Sequence, residues 1–377
     1  MLFRSLAPSD AELRNVGRAW LIGREDKPEW SHVWQQLLEL APSDAELRNV
    51  GRAWLIGRES SPAWPHVWRV LVKYDPESRQ LLQLGTRFYF SRVAQAELRP
   101  VYRVARAEAA RFWRELPEAE RRALLHDLAI KWTHTSTGIE GNTYTLNETR
   151  DFLERGITIS GKPLKDHREI DGHKRAIDIL LGWLERSELF EPDLFEMHSA
   201  VIAQLTSDIQ SPVGAWKKDP NFVYARSRTG KPVTIEFTPP ELTAELMAEW
   251  SERLARWLKN PPRQLESALE AFLELHLALV RIHPFFDGNG RMARLLANLP
   301  LLKAGFPPLL VPKDKRDEYK QLHTEYELLA CPALSPQTLL LDREASESIR
   351  VFLRDAWQPT LDMVGNRVIE YWRSSQL

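Results

Sequence analysis

Cysteine is almost absent from this 377-residue chain: Cys331 stands alone, which excludes an intramolecular disulfide. An excess of charge is absent as well. With 51 Lys and Arg against 52 Asp and Glu, the chain offers no bulk field for nucleic acid, and the arginines spread through positions 92 to 122 read as solvated helix faces. Long hydrophobic runs are missing too. The apolar stretches that come nearest are interrupted by Glu274, His276 and Arg281, so none reads as a membrane span. The opening residues, Met1-Leu2-Phe3-Arg4-Ser5, are too few and too soon charged for a secretory signal. His134, His167, His173, His198 and His276 lack the paired spacing of a zinc site. These absences predict a cytoplasmic protein with neither nucleic acid nor membrane among its partners. Its 43% hydrophobic content is ample core for two or three folding units.

What the chain does have begins with a repeat. Leu6 to Glu25 recurs unchanged as Leu40 to Glu59, an offset of 34 residues, and Leu81, Leu84, Gly85 and Phe88 echo Leu47, Val50, Gly51 and Trp54 at the same offset. A period of this size predicts a stacked array. Each unit reads as a helix pair: Ser9 and Glu12 form a capping box after Pro8, Gly23 stops the first helix, and Pro28 opens the second. Trp30, Val33, Trp34, Leu37 and Leu38 then share one face, which one unit alone cannot bury. The period and the Val16-Gly17 pair ahead of Trp20 resemble tetratricopeptide repeats, although Glu29 and Gln36 stand where that family places small residues. The predicted organisation is an array over residues 1–90, a connector helix over 91–116 in which Pro100 forces a kink, and a catalytic domain over 117–377.

The chemistry is concentrated in His283-Pro284-Phe285-Phe286-Asp287-Gly288-Asn289-Gly290-Arg291-Met292-Ala293-Arg294. Gly288 and Gly290 can take positive φ and let backbone N–H groups approach a ligand. The apolar residues that follow, Leu295, Leu296 and Leu299, make this loop the entrance of a helix, and helix N-termini bind anions. Arg291 and Arg294, three apart, both project from the first turn toward a phosphate chain. Asp287 is placed to hold Mg²⁺, which takes oxygen ligands, and His283 is the side chain able to take a proton near neutral pH.

This segment resembles the signature of the Fic family, His-Pro-Phe-x-(Asp/Glu)-Gly-Asn-Gly-Arg-x-x-Arg, at every fixed position. The resemblance implies an all-α, Fic-type helical core with one β-hairpin flap, behind a short α-helical repeat array. It also implies transfer of AMP from ATP to a Ser, Thr or Tyr hydroxyl of a target protein. In that picture His283 is the catalytic base and Asp287 the metal ligand for Mg²⁺. Gly288, Asn289 and Gly290 surround the α-phosphate, Arg291 grips the β-phosphate and Arg294 the γ-phosphate. Upstream, Ser136-Thr137-Gly138-Ile139-Glu140-Gly141-Asn142 resembles the family's inhibitory motif. That likeness assigns Ser136 and Glu140, within residues 136–141, an inhibitory role through a Glu140–Arg294 pair. A carboxylate there could also orient water for removal of AMP.

Phe222 to Ala225 and Val233 to Phe237 are β-prone runs around a polar turn, which predicts a hairpin. The resemblance makes it the flap, with Val233, Thr234, Ile235 and Glu236 laying an extended target beside the base by strand addition. An amphipathic helix is expected from about Glu241 to Trp257. Pro300 is a departure from the family pattern that should interrupt the signature helix. Target proteins docked by the flap and the repeats are the expected partners, alongside ATP, and the family allows a homodimer. Two alternatives stay open: transfer of another nucleotide such as UMP, and a repeat scaffold that only binds nucleotide.

Overall fold

The computed structural model describes residues 17–76, 78–90, 106–202, 212–329 and 332–374. The chain divides into two compact units, one made of residues 1–109 with 365–377 and the other of residues 110–364.

In the first unit a helical stretch at 17–21 is followed by α1 (Trp30–Leu40), α2 (Ala45–Leu55), α3 (Trp64–Tyr74) and α4 (Arg79–Phe90). The repeat is physical as well as textual. The Trp34 indole N–H donates to the Leu47 carbonyl at 2.8 Å, and 34 residues later that of Trp68 donates to Leu81 at 2.8 Å. Trp30 and Trp64 likewise donate to the carbonyls of Leu21 and Leu55. All four indoles are buried, with Leu37, Leu38 and Leu71 between them. Gly51 and Gly85 exist to admit these rings: a methyl on either would overlap the indole of Trp34 or Trp68. The Ser9–Glu12 capping box lies outside the described residues. In the second copy the cap falls one residue later than that reading, on Asp44, whose carboxylate accepts from the N–H groups of Glu46 and Leu47 at 3.0 and 3.1 Å. Gly365 belongs to this unit and sits against the backbone of Arg106.

The second unit is helical apart from one hairpin. Its helices are α5 (Glu118–Ile139), α6 (Leu146–Arg155), α7 (Leu164–Gly182), α8 (Glu191–Ile202), α9 (Pro240–Lys259), α10 (Leu265–Ile282), α11 (Asn289–Leu296), α12 (Leu299–Lys303) and α13 (Arg316–Leu328), followed by α14 (Arg343–Ser374). Helix α10 is buried almost all round, on Leu269, Phe272, Leu275, Leu279 and Ile282 among others, as a central core helix must be. It packs against α9 and α11, while α7 packs against α5 and α8. These contacts bring the C-terminal ends of α5 and α10 to the start of α11.

Strands β1 (Phe222–Arg226) and β2 (Pro232–Glu236) pair antiparallel, with Tyr224 opposite Thr234 and Phe222 opposite Glu236, over the expected runs. The helix expected from Glu241 to Trp257 is α9, a little longer at both ends. Pro300 does interrupt the signature helix. Helix α11 closes at Leu296 and α12 restarts with the proline in its first turn, where the missing N–H costs nothing. Asn298 bridges the break, donating to Arg294 O at 2.8 Å and accepting from Leu309 N at 2.7 Å. Of the predicted connector, residues 91–105 lie outside the described residues, 106–109 are α-helical and Ala110–Glu115 is a 3-10 helix. That helix belongs to the second unit, because Trp113 is buried there and Arg114 donates to Leu302 O at 2.6 Å. By compactness this unit runs from 110 to 364.

Candidate active site

His283 ends α10 in the left-handed region, at φ 49° and ψ 57°. It is the sole non-glycine residue with positive φ among the described residues, a conformation that costs about 1–2 kcal/mol. Its ring stacks on Phe237, with centroids 3.7 Å apart and planes 7° apart. Nδ1 lies 3.1 Å from the Val280 carbonyl. A carbonyl can only accept, so Nδ1 carries the proton and Nε2 keeps its lone pair. Burial, with a smaller contribution from the Lys217 charge, pushes the imidazole down to about 4 against the opposing Val280 bond. The ring is therefore neutral at pH 7 and ready to accept a proton.

The loop beyond His283 is tied down by its own side chains. Asn289, 2% exposed, accepts from Phe285 N at 2.9 Å and donates to Phe285 O at 2.8 Å. Both ends of the amide thus brace the loop, and one Nδ2 hydrogen is left over. Gly288 caps α11 at φ 79°, as its type allows. Gly290 does not take positive φ; it is helical, and its missing side chain makes room, since a Cβ there would stand 2.7 Å from a Glu140 oxygen. Asp287 is exposed. One of its oxygens accepts from Gly288 N at 2.6 Å and the other lies 3.6 Å from Arg291.

The two arginines are nearly buried, at 4% and 3% exposure, and are held differently. Arg291 donates to Val201 O at 3.2 Å and lies 3.8 Å from Glu169. Arg294 donates to Ser136 Oγ at 3.1 Å, to Ser136 O at 2.9 Å and to Glu140 Oε1 at 2.6 Å. The last two turns of α5 thus supply both Ser136 and its C-capping residue Glu140 to one guanidinium. Desolvation pushes the Glu140 carboxyl up, but Arg294, helped by Lys320 and Arg291, overrides it and holds the group below the usual carboxylate range. Lys320 lies 3.8 Å from the other Glu140 oxygen.

These groups line one cavity of about 660 Å³, within the range of nucleotide and cofactor sites, and His283, Asp287, Arg291, Arg294 and Glu140 all face it. On its hairpin side are Val223, Tyr224, Ile235 and Phe237. Of the predicted flap residues only Ile235 reaches the cavity; it is 8% exposed, while Glu236 and Tyr224 stand in solvent. Val233 and Thr234 complete the strand opposite Ala225 and Tyr224.

Several supporting residues carried no sequence signal. His198 accepts from Gly214 N at 3.0 Å through Nδ1, which leaves its Nε2–H to donate to Asp287 O at 3.0 Å. Its ring stacks on Phe285, and burial pushes it down to about 4. Tyr319, under Arg294, is hydrogen-bonded to His276 Nε2 at 2.7 Å, and His276 meets His323 at 3.3 Å. Lys217 and Asn221, in the stretch leading into β1, bond to the carbonyls of the catalytic loop. Histidines in apolar helices and the Lys217-Lys218-Asp219-Pro220-Asn221 turn read as core and loop; only the fold brings them to the site.

Residues 188–301 match the Fic/DOC family. The chain is similar to protein adenylyltransferase fic-1 of Caenorhabditis briggsae, at 35% identity over 203 residues, covering 52% of this chain and 36% of that protein. It is similar to the Caenorhabditis elegans protein of the same name at 33% over 201 residues, and to protein adenylyltransferase Fic of Drosophila persimilis at 35% over 185 residues, or 49% and 33% of the two chains. The chain spans about a third of the length of the curated relatives it matches. Among solved structures, a Fic domain containing signaling protein from Bacteroides thetaiotaomicron superposes with a TM-score of 0.61 at 22% identity, covering 71% of this chain and 96% of that one. A C. elegans Fic-1 structure gives 0.53 at 23%, covering 97% and 98%. At these identities the likeness establishes the fold, an all-α Fic type with a two-stranded flap.

Proposed function

We propose that this chain, whose residues 188–301 match the Fic/DOC family, transfers AMP from ATP to a Ser, Thr or Tyr hydroxyl of a protein. We propose further that it rests inhibited by Glu140. The observation that carries this reading is the convergence of His283, Asp287, Arg291 and Arg294 on one cavity; the names of the relatives, protein adenylyltransferases, supply the reaction class.

In the reaction the target hydroxyl oxygen attacks the α-phosphorus while His283 Nε2 takes its proton. The bond to the β-phosphate oxygen breaks and pyrophosphate leaves. The backbone N–H groups at the start of α11 and the arginines face the phosphates, so positioning and fixed positive charge supply most of the rate. Arg291, already braced, would hold the β-phosphate. Arg294 would take the γ-phosphate once Glu140 releases it. The residues fit a magnesium ion: Asp287 turns an exposed carboxylate to the phosphate side of the cavity, and Mg²⁺ in nucleotide sites takes one or two carboxylates with phosphate oxygens and water. Held there, it would neutralise charge on the α- and β-phosphates.

Inhibition follows from occupancy. Glu140 fills the seat of the γ-phosphate and neutralises its guanidinium, so triphosphate must displace a charged hydrogen bond to bind productively. The same carboxylate, with its second oxygen only loosely held by Lys320, supports a second reading, orientation of a water that removes AMP from a modified protein. The repeats of the first unit and the exposed Tyr224 edge of the hairpin would dock the target.

The test is transfer of label from α-labelled and, separately, γ-labelled ATP by the Glu140→Gly protein, with and without His283→Ala. Label from the α position alone, lost with His283, is expected. Label from the γ position would replace AMP transfer with phosphate transfer, and labelling that survives His283→Ala would remove the base assignment.

A further inference from the structure

Four consecutive carbonyls of the catalytic loop are received by two residues outside the signature. Lys217 Nζ donates to Ile282 O at 3.2 Å, and its backbone N–H to Pro284 O at 2.9 Å. The Asn221 amide donates to His283 O at 3.2 Å and to Phe285 O at 2.9 Å. The two grips are coupled, because Lys217 also donates to Asn221 Oδ1 at 2.7 Å. Carbonyls can only accept, so His283 O and Phe285 O fix which way the amide points and leave its Oδ1 for Lys217.

The arrangement is unusual for a lysine. Lys217 is 4% exposed, and desolvation alone pushes it down to about 7, with no carboxylate among the causes. Buried ammonium groups normally have a charged partner; this one has the C-terminal carbonyl of α10, the favourable end of a helix for a cation. The same segment also reaches the other face of the histidine. Asn221 O accepts from Phe237 N at 3.2 Å, and Phe237 is the ring stacked on His283.

We propose that Lys217 and Asn221 are positioning residues that lock His283 in its left-handed backbone conformation, so that Nε2 is presented to the attacking hydroxyl without reorganisation. The proposal rests on the reading of His283 as the base.

The decisive variant is Asn221→Asp in the Glu140→Gly background. Aspartate keeps the size of the side chain and still accepts from Lys217, yet it has no N–H for His283 O or Phe285 O. Two readouts are taken on the same protein: kcat and KM for ATP in self-labelling, and the NMR signals of the His283 ring, assigned by their loss in His283→Ala. The expected result is a fall in kcat of about 100-fold, the scale of a misplacement near 1 Å, with KM for ATP within about twofold and displaced ring signals. Parental kcat, or ring signals that stay in place, would overturn the proposal. If the aspartate variant fails to fold by circular dichroism, Asn221→Ala carries the same two readouts. If Glu140→Gly itself transfers no label, the functional reading fails at that control, and the ring signals decide the positioning claim alone.

Discussion

Glu140 and Arg294 illustrate how a single contact can set the resting state. A hydrogen bond between charged groups contributes about 1.5–3 kcal/mol, so releasing Arg294 by Glu140→Gly should raise self-labelling about 30-fold at subsaturating ATP, read as initial rate; an unchanged rate would mean the pair does not restrain the enzyme. His283 makes a second prediction. Its ring is pushed down to about 4, so the base is already deprotonated across the neutral range. The acid limb of kcat/KM, which reports the free enzyme, should fall near pH 4 rather than near 6.5, and a limb near 6.5 would contradict the buried, carbonyl-bonded ring. At this scale the sequence was legible where residue type dictates role: His283, Asp287, Arg291, Arg294 and Glu140 meet in one cavity. It was illegible where neighbours dictate role. Asn289 serves its own loop, Gly290 is small because Glu140 comes close, and Lys217 and Asn221 have no local pattern that marks them.

Among the elements, the repeat helices make the sharpest claim. Glycine inside a helix is ordinarily replaced by alanine with a gain of about 0.5–1 kcal/mol. At Gly51 and Gly85 the sign should reverse, because the added methyl overlaps an indole that is itself fixed by a hydrogen bond. Overpacking of this kind costs about 1–3 kcal/mol. Gly51→Ala and Gly85→Ala should each lower the urea midpoint, whereas a raised midpoint would show that the tryptophans can move aside. The 34-residue offset and the hairpin were readable because periodicity and turn chemistry are local signals. The cap at Asp44 instead of the preceding serine, and the 3-10 helix at Ala110–Glu115, were not, since both depend on which backbone N–H or carbonyl the surrounding fold leaves open.

For the whole molecule the desolvated histidines govern acid stability. His173, His198, His276, His283 and His323 are all pushed below 6.5, principally by desolvation. Below pH 6.5 the unfolded chain therefore binds protons that the folded catalytic unit refuses, and stability is lost as pH falls, by up to about 1.4 kcal/mol per pH unit for each group. Glu327, raised to about 7 by burial against the opposing charge of Arg281, works the other way, because its folded form holds a proton that the unfolded form releases above 4.5. The five histidines outnumber it. Urea midpoints should thus decline steeply between pH 6.5 and 5, before ordinary carboxylates titrate, and a flat curve over that interval would contradict the burial. No helix among the described residues is long and apolar enough to cross a membrane.

The placement of Gly365 against Arg106 bears on how the chain is made. The first unit is written in two pieces, with the catalytic unit inserted between them. As a ribosome delivers the chain from its N-terminus, the repeats emerge and can stack at once, but the surface around Arg106 stays open until residues 365 onward appear. The catalytic unit has by then left the exit tunnel complete. Order of synthesis therefore completes the second unit before the first, and a chain that stops short of residue 365 should leave the surface around Arg106 uncovered.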